Sequence, residues 1–184
     1  MHHNHASDAR AWTRRELLGH GMVLASLPPG PWHIGWVRDA TYAIVALAKS
    51  GHYAEARWAL DFFLNAEAGL FSSYLSDVKY RISTVRYFGN GVEEADYSGH
   101  ASRNVEIDGW GLYLWAARVY VEESGDTEWL TSKTRAGEVV YDVLRDEIAE
   151  ALAINSEPSG MMIADASIWE VHWDHRQHFL YTTA

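Results

Sequence analysis

There is no cysteine among the 184 residues. Disulfide frameworks and thiolate metal centres are therefore excluded. Positive charge is also in short supply: 15 Lys and Arg stand against 25 Asp and Glu, for a formal net charge of −10. A surface this acidic repels phosphate backbones, so no nucleic-acid partner is expected. No apolar run approaches the roughly 18 residues that span a bilayer, and no membrane partner is expected either. Met1-His2-His3-Asn4-His5 lacks the apolar stretch of a signal peptide. Residues 1–9 read as a tag-like or disordered start. Metal binding by that His tract is the alternative reading. Prolines number four, and Pro28-Pro29-Gly30 forms the one strong helix breaker.

Aromatic residues are plentiful, with nine Trp and ten Tyr. They fill cores, and they also make flat platforms for sugar rings. Residues 10–26 predict a helix with Trp12, Leu17, Leu18 and Val23 as its apolar members. From Asp39 to Ser50 the chain is apolar nearly all round, as in a helix buried on most sides. Gly51 ends it, and Tyr53 to Asn65 predicts an amphipathic return helix. Residues 66–104 contain several glycines and a β-prone stretch from Tyr80 to Phe88, and read as a long excursion, partly β-ribbon. Within it, Tyr87-Phe88-Gly89-Asn90-Gly91 with Glu93 and Glu94 reads either as a mobile pocket loop or as a turn followed by a solvated charge run.

The hairpin pattern then recurs. Ile107 to Val121 is a second nearly all-apolar helix, residues 122–126 turn, and Glu138 to Leu152 predicts an amphipathic helix. Ser50-Gly51-His52 and Ser124-Gly125-Asp126 are matching turns. Repeats of this kind build α-solenoids or closed helical toroids, with apolar helices inside and amphipathic ones outside. The expected fold class is all-α: a partial (α/α)6 toroid of αα-hairpins over residues 10–184, interrupted by the excursion. Two hairpins do not close a ring, and the last residues, Phe179 to Ala184, read as the opening of a helix. The domain is thus expected to be truncated at its C-terminus.

Three segments precede or open the apolar helices: Trp36-Val37-Arg38-Asp39, Asn104-Val105-Glu106-Ile107-Asp108-Gly109-Trp110 and Ser167-Ile168-Trp169-Glu170. Each sets a carboxylate beside a Trp. If the helices run parallel in one inner ring, these segments share a rim and converge on one acidic, aromatic pocket suited to sugars. Arg38-Asp39 offers a bidentate donor beside a bidentate acceptor, enough to clamp two vicinal hydroxyls. Read singly, Asp39 and Asp108 are also ordinary helix-start acids, and Arg38 a surface ion-pair partner. Glu170 follows two apolar residues, which would raise its pKa and keep it protonated as a general acid. A solvated loop Glu is the alternative. His172, His175 and His178 recur every third residue, a spacing open to metal binding. No metal site and no cofactor are assigned.

Trp36-Val37-Arg38-Asp39-Ala40, then Asp108-Gly109, then Ile168-Trp169-Glu170 with Phe179 downstream, resemble glycoside hydrolase family 15 in order and spacing. The family includes glucoamylases, glucodextranases and some trehalases. The resemblance implies a toroid and inverting hydrolysis of α-linked glucosides, with an oligosaccharide or polysaccharide as partner. It implies that Arg38 and Asp39 grip the terminal sugar, that Trp36 walls the pocket, that Asp108 helps shape it, and that Trp169 packs beside Glu170, the general acid. Trp110, on the same rim, joins them as a substrate-binding candidate. The family's general base has no counterpart in this chain. A non-catalytic carbohydrate-binding or regulatory module with the same toroid is the alternative, and a helical-repeat scaffold for protein partners a further one.

Overall fold

The computed structural model describes residues 21–27, 29–30, 32–95, 104–166 and 176–183. Over these residues the chain is mainly helical, with a small antiparallel sheet. The first hairpin is α1 (Val37–Lys49) and α2 (Tyr53–Asn65). Gly51, at φ 83, supplies the left-handed turn between them, a conformation that strains any residue with a Cβ. The expected helix of residues 10–26 does not extend past Gly21, since residues 22–27 are irregular. Its earlier part lies outside the described residues.

The third long helix, α3 (Asp108–Ser124), ends on Gly125 in the left-handed conformation. It runs parallel to α1, because Arg38 meets Asp108 at one end and Lys49 meets Glu123, at 3.4 Å, near the other. Their starts touch: a Cβ on Gly109 would come within 2.9 Å of Val37 Cγ1. Only glycine permits that approach. α2 leans on both helices and is tied to α3 by Tyr113, whose hydroxyl donates to the Leu60 carbonyl at 2.9 Å. The core between them is apolar, with Ala40, Ile44 and Ala48 of α1, Leu60 and Phe63 of α2, and Trp110, Tyr113 and Ala116 of α3 all buried. The α1 residues recur at four-residue steps, which sets them on one face.

A short helix, α4 (Glu128–Thr131), buries Trp129 and donates its indole N–H to Asp61 at 2.9 Å. The return helix expected over 138–152 is not regular. It runs as α5 (Val140–Leu144), a π-turn (Arg145–Ala149) and α6 (Glu150–Ile154). At the π-turn the Glu147 carbonyl accepts the Arg81 N–H at 3.1 Å, so the excursion draws off a group that a regular helix would use. The Glu147 carboxylate also binds Lys79 and Arg81, and Arg81 reaches Glu138.

The excursion folds back as β2 (Arg86–Tyr87) and β3 (Glu93–Glu94), which join β1 (Gly35–Trp36) in the order β1-β2-β3. The β-prone stretch from Tyr80 yields only two residues of strand because its polar groups bond side chains instead. Thr84 N–H goes to the Glu93 carboxylate and Ser83 N–H to the Tyr87 hydroxyl. Glu93 and Glu94 form neither a pocket loop nor a solvated run. Both are buried. Burial pushes the Glu93 carboxyl above its ordinary range, and bonds from Thr84, Leu70 and Tyr80 offset this only in part. Trp36, Arg86 and Glu94 stand in one row across the sheet. Arg86 bonds Glu94 at 2.5 Å and lies over the Trp36 ring at 5.5 Å.

Removing one member of a buried ion pair is strongly destabilising. Glu94→Ala is expected to destabilise the fold by about 3 kcal/mol. Urea unfolding measures this, and a loss well below 1 kcal/mol would show that Arg86 does not depend on Glu94.

Candidate active site

The starts of three helices meet at one end of the molecule. They are α1, α3 and a final turn, α7 (Leu180–Thr183). β1 runs straight into α1, and Val37 N–H bonds the Val85 carbonyl at 2.9 Å, so α1 begins at a fixed point on the sheet. The approach to α3, residues 104–107, is held on both sides. Asn104 N–H bonds the Ala95 carbonyl, and the Val105 carbonyl accepts Ala166 N–H. Asp165 joins α3 to α7: its carboxylate takes the Thr182 hydroxyl at 3.0 Å and the Ile107 N–H at 3.4 Å.

At the centre is Arg38. Its Nε and Nη2 bind the two oxygens of Asp108 at 2.8 and 2.9 Å, a bidentate pair, and Nη2 also binds Glu106 at 2.5 Å. The carboxylate side chains are only 3% and 5% exposed, against 17% for Arg38. Burial opposes the charge of Arg38. The bonds and charges of Asp108 and Glu106 outweigh it and hold the guanidinium above its ordinary range. Tyr181 of α7 covers one side, its ring centre 5.8 Å from the guanidinium carbon. Its hydroxyl lies 3.4 Å from that of Tyr42, whose ring meets Trp115 edge-on at 5.9 Å.

The residues expected at the site divide clearly. Arg38 and Asp108 are brought together, and Trp36 stands half-buried at the edge, against Trp32 and Arg86. Asp39 is exposed in the first turn of α1, and among the described residues Asp108 and Glu106 are carboxylates that bind Arg38. Trp110 needs a correction. It is fully buried, with its indole N–H on the Ile82 carbonyl at 2.7 Å and its ring beside Tyr80. Two helical steps of about 100° turn it away from the side on which Asp108 meets Arg38. Trp169 and Glu170 lie outside the described residues, as do His172 and His175. His178 bonds the Met162 carbonyl and lies 3.6 Å from Glu157. Among the described residues no group of acids and histidines is arranged to hold a metal.

Sequence reasoning did not single out Glu106, Asp165 or Tyr181. For Glu106 the signal was present. Asn104, Glu106 and Asp108 alternate with Val105 and Ile107, the pattern of an extended segment with one polar and one apolar side. Asp165 and Tyr181 are set by long-range contacts that leave no local trace.

Chemically, the cluster presents a fixed guanidinium between carboxylates and beside tyrosine rings. Carboxylates accept bonds from hydroxyls, and aromatic faces stack on C–H surfaces. Among the described residues no helix is long and apolar enough to cross a membrane. Compared with family models, curated proteins and solved structures, the chain matches none.

The Tyr181 phenol is pushed up to about 12 by burial, by its bond with Tyr42 and by the Asp108 charge. A phenol whose folded pKa exceeds the unfolded value favours the folded state below the unfolded pKa, about 10. That advantage disappears as pH rises through about 12. Tyr181→Phe should therefore flatten the alkaline loss of stability between these pH values, read by denaturant unfolding across that range. An unchanged slope would place the Tyr181 hydroxyl outside this network.

Proposed function

We propose that this chain is a sugar-gripping glycosidase domain of the family 15 type, built on the inner helices of a partial (α/α)6 toroid and acting on α-linked glucosides with inversion. Arg38 and Asp39 hold the terminal sugar. Asp108 shapes the site by holding Arg38, and Trp36 and Trp169 flank the pocket. Glu170 donates the proton to the leaving glycosidic oxygen as the bond to the anomeric carbon breaks. An inverting reaction also needs a base roughly 6.5–9.5 Å from the acid, with a water between them. No residue of this chain takes that role in the resemblance. The domain on its own is accordingly a binder that does not turn over.

One observation supports this reading above the others: the parallel helices α1 and α3 begin side by side, with Arg38 of one gripped by Asp108 of the other. A polar cluster with a cation and aromatic neighbours at the shared start of apolar helices is what the resemblance requires of a sugar pocket.

Isothermal calorimetry with maltotriose tests the proposal. Saturable binding is expected, with no glucose released on prolonged incubation. Arg38→Lys keeps the charge but loses the fork, and should weaken binding by about tenfold or more. Glu170→Gln should leave affinity close to wild type, because a proton donor acts on the transition state rather than on ground-state binding. Failure of any α-glucoside to bind would overturn the proposal. Steady glucose release would overturn the absence of a base.

A further inference from the structure

Apart from the Arg38 cluster, the described residues form a groove of about 820 Å³. It lies between the end of α2, the 89–91 turn that joins β2 to β3, and the segment 132–135 that follows α4. That volume is within the range of small-molecule sites, roughly 300–1,000 Å³. Hydrogen bonds tie the three walls to one another. The Asn65 side chain donates to the Asp61 carbonyl at 2.6 Å and accepts the Arg135 N–H at 2.7 Å. The Glu67 N–H bonds the Gly91 carbonyl at 2.8 Å, and the Glu67 carbonyl accepts the Glu93 N–H at 2.9 Å. The walls are therefore held before any ligand arrives.

On α2, Trp58, Asp61 and Asn65 follow at steps of three and four residues and so share one side of the helix. Trp58 is 58% exposed there. A lone exposed indole needs no explanation. This one borders a groove, and polar groups that the fold leaves unused stand around it. Arg57 and Asp61 are engaged, with Asp126 and with the Trp129 indole. The side chains of Glu67, Lys133 and Arg135 are exposed and have no ion-pair or hydrogen-bond partner among the described residues. Free charges of both signs narrow the ligand. An anion would meet Glu67, and a cation would meet Lys133 and Arg135. A neutral polyhydroxyl ligand uses all three, since each hydroxyl both donates and accepts. The indole face matches the C–H face of a sugar ring.

We propose that this groove is a second carbohydrate site. It holds a glucan segment by stacking one ring on Trp58, while Glu67, Lys133 and Arg135 bond the hydroxyls. Its free polar groups are exposed, so they grip a chain at the rim and do not enclose its terminal unit. The choice of a glucan rests on the sugar-binding reading of the Arg38 cluster; the groove itself does not.

The test uses the full chain and maltoheptaose whose non-reducing unit carries an ethylidene acetal. The cap bars it from a pocket that grips the terminal sugar, so its binding reports the groove. Titration calorimetry should show saturable binding. Trp58→Ala should weaken it about tenfold or more. Lys133→Ala combined with Arg135→Ala should weaken it severalfold, and Arg38→Lys should leave it unchanged. The three groove positions are exposed, so melting temperatures near wild type are expected and check that each variant folds. Trp58→Phe keeps a ring, should retain part of the affinity, and serves if the Ala variant does not fold. No binding of the capped chain, or binding that the Trp58 variants leave unchanged, overturns the second site. Binding lost in Arg38→Lys overturns it too, since one site would then account for both. Capped-chain binding that depends on Trp58, with maltotriose affinity unaltered by Arg38→Lys, would keep the groove and remove the sugar-gripping role of Arg38.

Discussion

The contact on which the rest of this structure depends is that between the first turns of α1 and α3. Gly109 allows the helices to begin almost in touch, and Arg38 spans the junction to Asp108 and Glu106. At the opposite end the same helices are joined by Lys49 and Glu123, both well exposed and 3.4 Å apart. Exposed pairs of that kind contribute little, on the order of 0–1 kcal/mol. The two helices are thus joined by a buried polar junction at their starts, and near their ends by buried apolar residues such as Ala48 and Tyr120 with only an exposed ion pair beside them.

The small sheet serves as a backing plate for that end. β1 leads into α1 with no side-chain cap, and the Val37 N–H left over by the helix start is taken by Val85 from the strand region beside it. The row of Trp36, Arg86 and Glu94 then fixes where the chain enters the helix. Tyr80 and Glu93 brace the excursion from below, with the tyrosine hydroxyl donating to the carboxylate at 2.9 Å. An excursion that looks irregular in the sequence is held by side-chain bonds both within it, as from Tyr80 to Glu93, and to the helical segment beyond it, as from Arg81 to Glu147.

The helical hairpins were legible because their signals are local. Tyr53 to Asn65 was read from its amphipathic pattern and its end residues, and the observed helix has the same bounds. The apolar helix after Asp39 was read from its composition, and it begins two residues earlier because β1 passes into it without a break. What could not be read depended on partners distant in sequence. Glu93 and Glu94 look like surface charges until Tyr80 and Arg86 are known to face them. The π-turn arises because Arg81 approaches Glu147 from the excursion. Trp110 was placed at the site by proximity to Asp108, whereas the spacing of Trp110, Tyr113 and Ala117 is that of one helix face, and all three are buried.

Buried charge is held in different ways across the described residues. Arg86 faces Glu94, one charge of each sign. Lys79 and Arg81 face Glu138 and Glu147, two of each. Both groups are matched, as structural ion pairs must be if desolvation is to be offset. Arg38 faces Glu106 and Asp108, one cation against two anions, with Asp39 exposed next to it in the chain. Glu93 and Asp165 are buried as well, the first held by the Tyr80 hydroxyl and the N–H groups of Thr84 and Leu70, the second taking the Thr182 hydroxyl and the Ile107 N–H, so neutral donors do for these carboxylates what cations do for the others.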